Sequence, residues 1–163
     1  MRLPKLLFVL VANLFWLAGC ALHPFSAVTP GMTREEVIGR MGHPGAVVAI
    51  PQGTRLQYSG QPTGQFAFMV DLDASGRVLS VRQVLNARDL ARIEPGKWTR
   101  DDVLREFGRP TRVDRVASWP GDILTYRWYD LQDLFYWVYL DSNQVVQKAH
   151  PGMEFVNAPD DRD

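Results

Sequence analysis

Residues 30–44 read PGMTREEVIGRMGHP, and residues 95–110 read PGKWTRDDVLREFGRP. The two stretches share a Pro-Gly start, a threonine followed by acidic residues, an apolar pair, and a Gly-x-Pro end. The second stretch differs in length by one inserted residue. Because an internal repeat determines how the whole chain is organised, this pair is the most informative feature of the sequence.

Three further matches follow in the same order after each stretch. They are 56–58 (LQY) with 124–126 (LTY), 70–73 (VDLD) with 138–141 (VYLD), and 75–78 (SGRV) with 142–145 (SNQV). The offset between matched residues stays between 65 and 68 along the chain. Ordered matches at a nearly constant offset predict a tandem duplication of one structural unit.

Each unit is predicted to begin with a short amphipathic helix. Thr33 with Glu36, and Thr99 with Asp102, have the spacing of a capping box, in which a hydroxyl and a carboxylate satisfy free amides at a helix start. The Gly-x-Pro end of each stretch supplies a glycine suited to a helix C-cap and a proline that blocks continuation. Such short helices are marginal alone, so they are expected to pack on a sheet.

Segments of alternating polarity follow each helix and predict an antiparallel meander. The expected strands lie near 45–50, 54–59, 65–72 and 77–85 in the first unit and near 111–117, 122–129, 133–140 and 145–148 in the second, with a short helix near 87–93 between them. The fold class expected from these elements is α+β. Two repeated units, each of short helices followed by an antiparallel β-meander, are expected to join into one curved sheet with helices on one face.

The first twenty residues have the pattern of a secretory signal. Arg2 and Lys5 precede an apolar run at 6–17, which is shorter than the roughly 20 residues that span a bilayer. Residues 17–20 read LAGC and resemble the lipobox of bacterial lipoproteins, which implies cleavage before Cys20 and acylation of that cysteine. Ala21 follows where an aspartate would favour the inner membrane in such lipoproteins, so the resemblance implies anchoring to the outer membrane on its periplasmic side.

These patterns divide the chain into five segments. They are a lipoprotein signal peptide at 1–19, a lipidated N-terminus and tether at 20–30, a first unit at 31–85, a second unit at 86–152, and a polar C-terminal tail at 153–163. Because Cys20 is the only cysteine, an acylated chain cannot form a disulfide, and its stability must come from packing.

Composition and motifs argue against several functional classes. Without residues 1–19 the chain has 16 basic and 18 acidic side chains, which does not favour a nucleic-acid partner. The sequence contains no Gly-x-Ser-x-Gly, His-Glu-x-x-His, Cys-x-x-Cys or P-loop motif. We therefore expect no enzymatic activity, no metal site and no cofactor.

The two units differ most on one face of their third strands. Because side chains alternate across a strand, Phe135, Trp137 and Tyr139 of the second unit share a face, and Arg127 and Tyr129 of the neighbouring strand point the same way. Aromatic rings beside an arginine are typical of interface hot spots, so these five residues are the candidate partner-binding face. The alternative is that the rings pack against the first unit, a loop or the tail.

The corresponding residues of the first unit are Ala67, Met69 and Asp71. They are expected to meet solvent, because that face of an open two-layer fold is uncovered.

The motifs of each unit resemble those of the SmpA/OmlA, or BamE-like, lipoprotein domain. The resemblance rests on Gly-Met-Thr at 31–33, Gly-x-Pro at 42–44, the Leu-x-Tyr strand at 56–58 and the closing hairpin. The tandem arrangement is similar to that of the β-lactamase inhibitory proteins. The resemblance implies a binding or scaffold lipoprotein for an envelope protein, possible roles being outer-membrane assembly or maintenance. The alternative that it implies is an inhibitor or ligand-binding module.

Overall fold

The computed structural model describes residues 24–154, and the predicted signal peptide, Cys20 and residues 155–163 lie outside this range. A 3₁₀ turn at Pro24–Ala27 is followed by helices α1 (Arg34–Met41), α2 (Ala87–Leu90) and α3 (Arg100–Phe107). The strands are β1 (Ala46–Ile50), β2 (Gly53–Ser59), β3 (Ala67–Asp73), β4 (Val78–Gln83), β5 (Arg112–Asp114), β6 (Ile123–Tyr129), β7 (Asp133–Leu140) and β8 (Val146–Met153). Within the described range, no helix has the length and apolarity needed to cross a bilayer.

The strands form two separate four-stranded antiparallel sheets, ordered β1-β2-β3-β4 (sheet 1) and β5-β6-β7-β8 (sheet 2). The prediction of one curved sheet with helices on one face is therefore wrong. Residues 84–99 lead the chain away from β4 through α2, and α3 then packs against β3. Because helices of the second unit share a core with both sheets, β5 does not pair with the edge of sheet 1.

Both predicted capping boxes are present. The amide of Thr33 donates to Glu36 at 2.7 Å, and the amide of Glu36 donates to the Thr33 hydroxyl at 3.2 Å. The corresponding distances for Thr99 and Asp102 are 2.8 and 3.3 Å. The shorter aspartate therefore closes its box as well as the glutamate does.

The repeated Leu-x-Tyr motif closes the other end of each helix. The Tyr58 hydroxyl donates to the carbonyl of Gly42 at 3.0 Å, and the Tyr126 hydroxyl donates to the carbonyl of Gly108 at 2.8 Å. Each glycine has a positive φ, near 77°, which favours glycine at a helix end. Each tyrosine therefore links its strand, β2 or β6, to the end of the preceding helix, α1 or α3. Burial raises the pKa of the Tyr126 hydroxyl.

The first core lies between sheet 1 and α1. Val37 of α1 is fully buried against β2 and β3, in a cluster with Leu56, Val70 and Leu72. Phe25 of the 3₁₀ turn joins this cluster and stacks on Phe68 with ring centroids 3.8 Å apart. Part of the segment predicted as a tether therefore belongs to the core of the first unit.

The second core fills the space between the two sheets. Val103 and Phe107 of α3, together with Leu90 of α2, pack on the inner face of sheet 2. Ala67 and Met69 on the second face of sheet 1 belong to the same cluster and are fully buried. The expectation that these two residues meet solvent is wrong, because the helices of the second unit cover them.

Sheet 1 also binds the C-terminal end of α3 through polar side chains of β2. Gln57 Nε2 donates to the carbonyl oxygens of Leu104 and Arg105 at 2.9 and 3.0 Å, and Arg55 Nη1 donates to the same Arg105 carbonyl at 3.0 Å. The last carbonyls of a helix have no partner within the helix and carry partial negative charge. Arg55 and Gln57 therefore satisfy the end of α3 from the other unit.

An ion-pair network surrounds this contact. Arg55 binds both carboxylate oxygens of Asp71, at 2.5 and 2.9 Å, and also contacts Glu106 at 3.0 Å. The Arg55 side chain is only 5% exposed, so the pairing is shielded from water. The full network consists of Arg55, Arg82, Arg92, Asp71, Asp89 and Glu106.

The position of Arg55 predicts a large loss of stability on substitution. Replacing Arg55 by methionine keeps the apolar stem but leaves Asp71 without its two-pronged donor and Glu106 without its shortest ion pair, so we expect Arg55→Met to cost about 3–5 kcal/mol. Lys97→Met is the matched control, because the Lys97–Glu94 pair is largely exposed and is worth at most about 1 kcal/mol. Chemical denaturation measures both, and equal losses for the two variants would contradict the structural role of Arg55.

Candidate functional site

The outer face of sheet 2 carries a group of neighbouring aromatic side chains. Phe135, Trp137 and Tyr139 alternate with the buried residues of β7, and all three are partly exposed. They cover Ile123 and Thr125 of β6, which lie opposite Tyr139 and Trp137 in the register and are buried. The rings thus shield the centre of the sheet and remain in contact with solvent.

Strand β8 and the loop before β6 extend this group. His150 lies opposite Trp137 in the register, and its ring stacks on Tyr139 at 5.5 Å between centroids. Trp119 meets Tyr139 edge to face at 5.2 Å, and Phe135 lies 5.9 Å from Trp137. These distances are within the range of favourable ring contacts. The rings form one row, in the order Trp119, Tyr139, His150, Trp137 and Phe135.

Two cations lie against the row of rings. Lys148 Nζ is 4.0 Å from the centroid of Tyr139 and 5.0 Å from that of Trp119, and the Arg112 guanidinium is 5.5 Å from that of Phe135. All three contacts have cation–π geometry. We call the five rings with Arg112 and Lys148 the aromatic face.

Polar contacts fix the loop that carries Trp119. Its indole N–H donates to the carbonyl of Leu140 at 2.6 Å. The buried carboxylate of Asp122 binds Arg115 of the same loop and Arg100 of α3, each at 2.6 Å. The hydrogen bond from Arg115 and the nearby Arg100 hold the pKa of Asp122 below its ordinary value. The loop is therefore anchored at both the indole and the carboxylate.

Arg127 and Tyr129 are also predicted for this face, and Arg127 lies opposite Phe135 in the register, at one end of the row of rings. Arg127 Nε binds Glu154 at 2.7 Å, and its Nη1 donates to the carbonyls of Pro62 and Thr63 at 3.0 and 2.9 Å. Arg127 therefore joins the two units instead of presenting a free cation. Tyr129 is 60% exposed at the end of β6, opposite Asp133 in the register.

The sequence interpretation missed four members of the aromatic face. Lys148 lies inside the strand predicted at 145–148 but was not assigned to the face. His150 was missed because β8 continues beyond 148, through Pro151 and Gly152 to Met153. The two residues are spaced two apart, as residues on one face of a strand are, and this spacing could have placed both of them on the face. Trp119 and Arg112 gave no comparable signal, since a loop and a three-residue edge strand bring them to this face.

Among residues 24–154, no group of three or more His, Cys, Asp or Glu side chains has an arrangement that could hold a metal ion.

Comparisons with known proteins do not place the chain in a family. No protein-family model matches it, and no curated protein matches it. Among solved structures, it is similar to a DUF4309 family protein (YjgB) from Bacillus subtilis subsp. subtilis str. 168, with a TM-score of 0.30 and 14% identity, over 80% of this chain and 90% of that chain. A TM-score this low does not relate the two folds, so function has to be argued from the residues of the chain itself.

The packing of Trp137 on Gly152 gives a test of the aromatic face. A Cβ atom at position 152 would lie 2.0 Å from Trp137 Cζ3, so Gly152→Ala must displace the ring. We expect this change to cost about 1–3 kcal/mol by overpacking. The cost should fall in a Trp137→Ala background, with a coupling energy of about 0.5–3 kcal/mol in a double-mutant cycle. Additive effects on denaturation would show that the ring does not lie over Gly152.

Proposed function

We propose that the chain is a lipid-anchored envelope protein that binds another protein through the aromatic face. The observation that carries the proposal is the row of five partly exposed rings with two cations at the free face of sheet 2. Contiguous apolar surface of this kind on a soluble domain commonly marks an interaction site. Tryptophan, tyrosine and arginine are also the residues most enriched among interface hot spots.

The first unit indicates what kind of partner surface fits. Ala67 and Met69 of β3 occupy the positions that Phe135 and Trp137 occupy in β7, and the helix α3 lies against them. The same face of the repeated fold therefore accepts an amphipathic helix within this chain. We propose that the aromatic face accepts a helix presented by a partner protein.

Such binding would rest on a few residues. Trp137 and Tyr139 lie on either side of His150, the central ring of the row, and each has a ring partner on both sides, which fixes its orientation before binding. A preorganised side chain loses little conformational entropy when a partner binds. Lys148 and Arg112 at the ends of the row favour a helix with acidic residues or an exposed carboxyl-terminal end.

The proposed location is the periplasmic side of the outer membrane, with Cys20 as the lipid-bearing residue. The basis is the LAGC sequence at 17–20 after an apolar segment, and Ala21 after the cysteine. Three residues separate Cys20 from the 3₁₀ turn that packs on sheet 1, so the fold would be held close to the membrane surface. A role in outer-membrane assembly or maintenance is part of this proposal.

The anchor is tested by the variant Cys20→Ser. Loss of the acyl chains should release the protein from membranes, because each buried methylene contributes about 0.8 kcal/mol. Mass spectrometry of the mature N-terminus and membrane fractionation measure the outcome. An unmodified, thiol-reactive Cys20 in protein isolated from envelopes would overturn the anchoring proposal.

The binding surface is tested by Trp137→Ala in intact envelopes. A photoreactive amino acid at Tyr129, which is 60% exposed at the end of β6 and lies on the same side of sheet 2 as the rings, should cross-link the partner. Removing Trp137 should weaken the complex by about 2 kcal/mol or more, the scale of an aromatic hot spot, and so abolish most of the adduct.

Leu131→Ala is the matched control, since Leu131 is 92% exposed in the β6–β7 turn, and it should leave the adduct unchanged. Two results would sink the proposal. One is an adduct whose yield does not change in Trp137→Ala. The other is a stability loss of about 3–5 kcal/mol for Trp137→Ala, which would identify the ring as a core residue.

A further inference from the structure

The contact between the two units is one step of a repeating arrangement. The layers follow in the order α1, sheet 1, α2 with α3, and sheet 2. Each sheet packs its own helix on one face, and sheet 1 receives the helix of the next unit on the other. The stack therefore ends in two unmatched surfaces, which are the outer side of α1 and the aromatic face.

The residues of α1 that form its outer side are those at the positions where α3 contacts sheet 1. The residues of α3 that meet sheet 1 or line the cleft of about 800 Å³ beside it are Asp101, Leu104, Arg105 and Gly108. The corresponding residues of α1 are Glu35, Ile38, Gly39 and Gly42, and none of them is buried. Cβ atoms added at Gly39 or Gly42 would meet no atom within 4 Å, so the space outside α1 is open.

The two surfaces are complementary in size. Within the chain, the end of α3 with Leu104 and Arg105 lies on Gln57 and Arg55 of β2, and Asp71 of β3 pairs with Arg55. At the ends of the stack the sizes are exchanged: Gly39 of α1 stands where α3 has Arg105, and Tyr139 of β7 stands where β3 has Asp71. A helix with glycine at this position leaves room for the rings of the aromatic face.

The two surfaces are also complementary in charge. Asp101 of α3 lies with Ala46 of β1 along the cleft between the units. The residue of α1 that corresponds to Asp101 is Glu35, and the register places Arg112 of β5 where β1 has Ala46. Repeating the arrangement therefore brings the Glu35 carboxylate towards the Arg112 guanidinium, which also binds Asp114 of its own strand at 2.7 Å.

The carboxyl-terminal end of α1 gives a second charge match. Arg55 and Gln57 satisfy the end of α3, but sheet 2 has Ile123 and Thr125 at those positions. On that face Lys148 of β8, whose ammonium lies 4.0 Å from the Tyr139 ring centroid, is the cation available to a helix end.

We infer that the aromatic face binds helix α1 of a second copy of this chain, so that copies associate head to tail. The inference rests on the proposed function, since it names the partner helix for the same surface. A contact between two different surfaces can be repeated by each added copy, giving rows or closed rings, whereas a symmetric dimer stops at two. Anchoring to one membrane would hold such copies in a common plane.

Paired cysteines in the full-length lipidated protein test the geometry. One tagged copy carries Gly39→Cys and another carries Tyr139→Cys, and the parent chain with Cys20 alone gives the background. Oxidation of envelopes that contain both copies should give a mixed dimer, and a chain with both substitutions should give a ladder beyond the dimer. Dimers that form as readily between two identical single-substituted copies would overturn the head-to-tail arrangement.

A second variant tests the contact without weakening the fold. Gly39→Arg places on α1 the residue that α3 has at the same position, and it replaces a helix-interior glycine, so it should not destabilise the monomer. We expect co-purification of two differently tagged copies from detergent to fall by about tenfold, as for loss of a hot spot. Ala91→Arg, which adds the same side chain at the exposed end of α2, should leave co-purification unchanged.

The outcomes separate this inference from the proposed function. Unchanged co-purification in Gly39→Arg overturns the head-to-tail inference. If Trp137→Ala still abolishes adducts with other envelope proteins in that case, the proposed function stands and only the identity of the partner is wrong. If Trp137→Ala alters neither self-association nor those adducts, both are overturned.

Discussion

The joint between helix α3 and sheet 1 is the contact on which the rest of the structure depends. Arg55 and Gln57 donate to the last carbonyls of α3, and Asp71 and Glu106 balance the buried guanidinium. A helix end is one of the few places where the backbone needs outside partners. By supplying them from the other unit, the chain holds its second sheet in a separate layer and leaves the outer face of that sheet at the end of the stack.

The two copies have diverged most at the face that makes this joint. The first unit has polar groups that match a helix end, and the second has Ile123, Thr125 and Tyr139 at the positions of Arg55, Gln57 and Asp71. Polar groups aimed at carbonyls require one fixed partner geometry, because an unmatched buried charge is costly. Aromatic rings carry no charge, so a face of rings does not incur this cost when no partner is bound. This difference suits the first face to a permanent joint and is compatible with the reversible binding proposed for the second.

The aromatic face combines three parts of the chain that are separated in sequence. Strand β7 supplies Phe135, Trp137 and Tyr139, which the alternation of side chains predicted to share a face. Strand β8 supplies Lys148 and His150, and the anchored loop before β6 supplies Trp119. The strand residues follow a local rule, whereas the loop is positioned by Asp122 and by the carbonyl of Leu140. Contacts of that kind depend on the folded backbone, so no sequence period reveals them.

The sequence by itself determined the duplicated unit, because its signals are local. Thr33 with Glu36 and Thr99 with Asp102 start the helices, glycines end them, and alternation places Phe135, Trp137 and Tyr139 on one side of their strand. Only the tertiary structure decided that the units form two sheets, that Ala67 and Met69 are buried, and that Arg127 joins the units. The reason is physical: a strand's alternation separates its two faces, but what covers each face depends on residues tens of positions away.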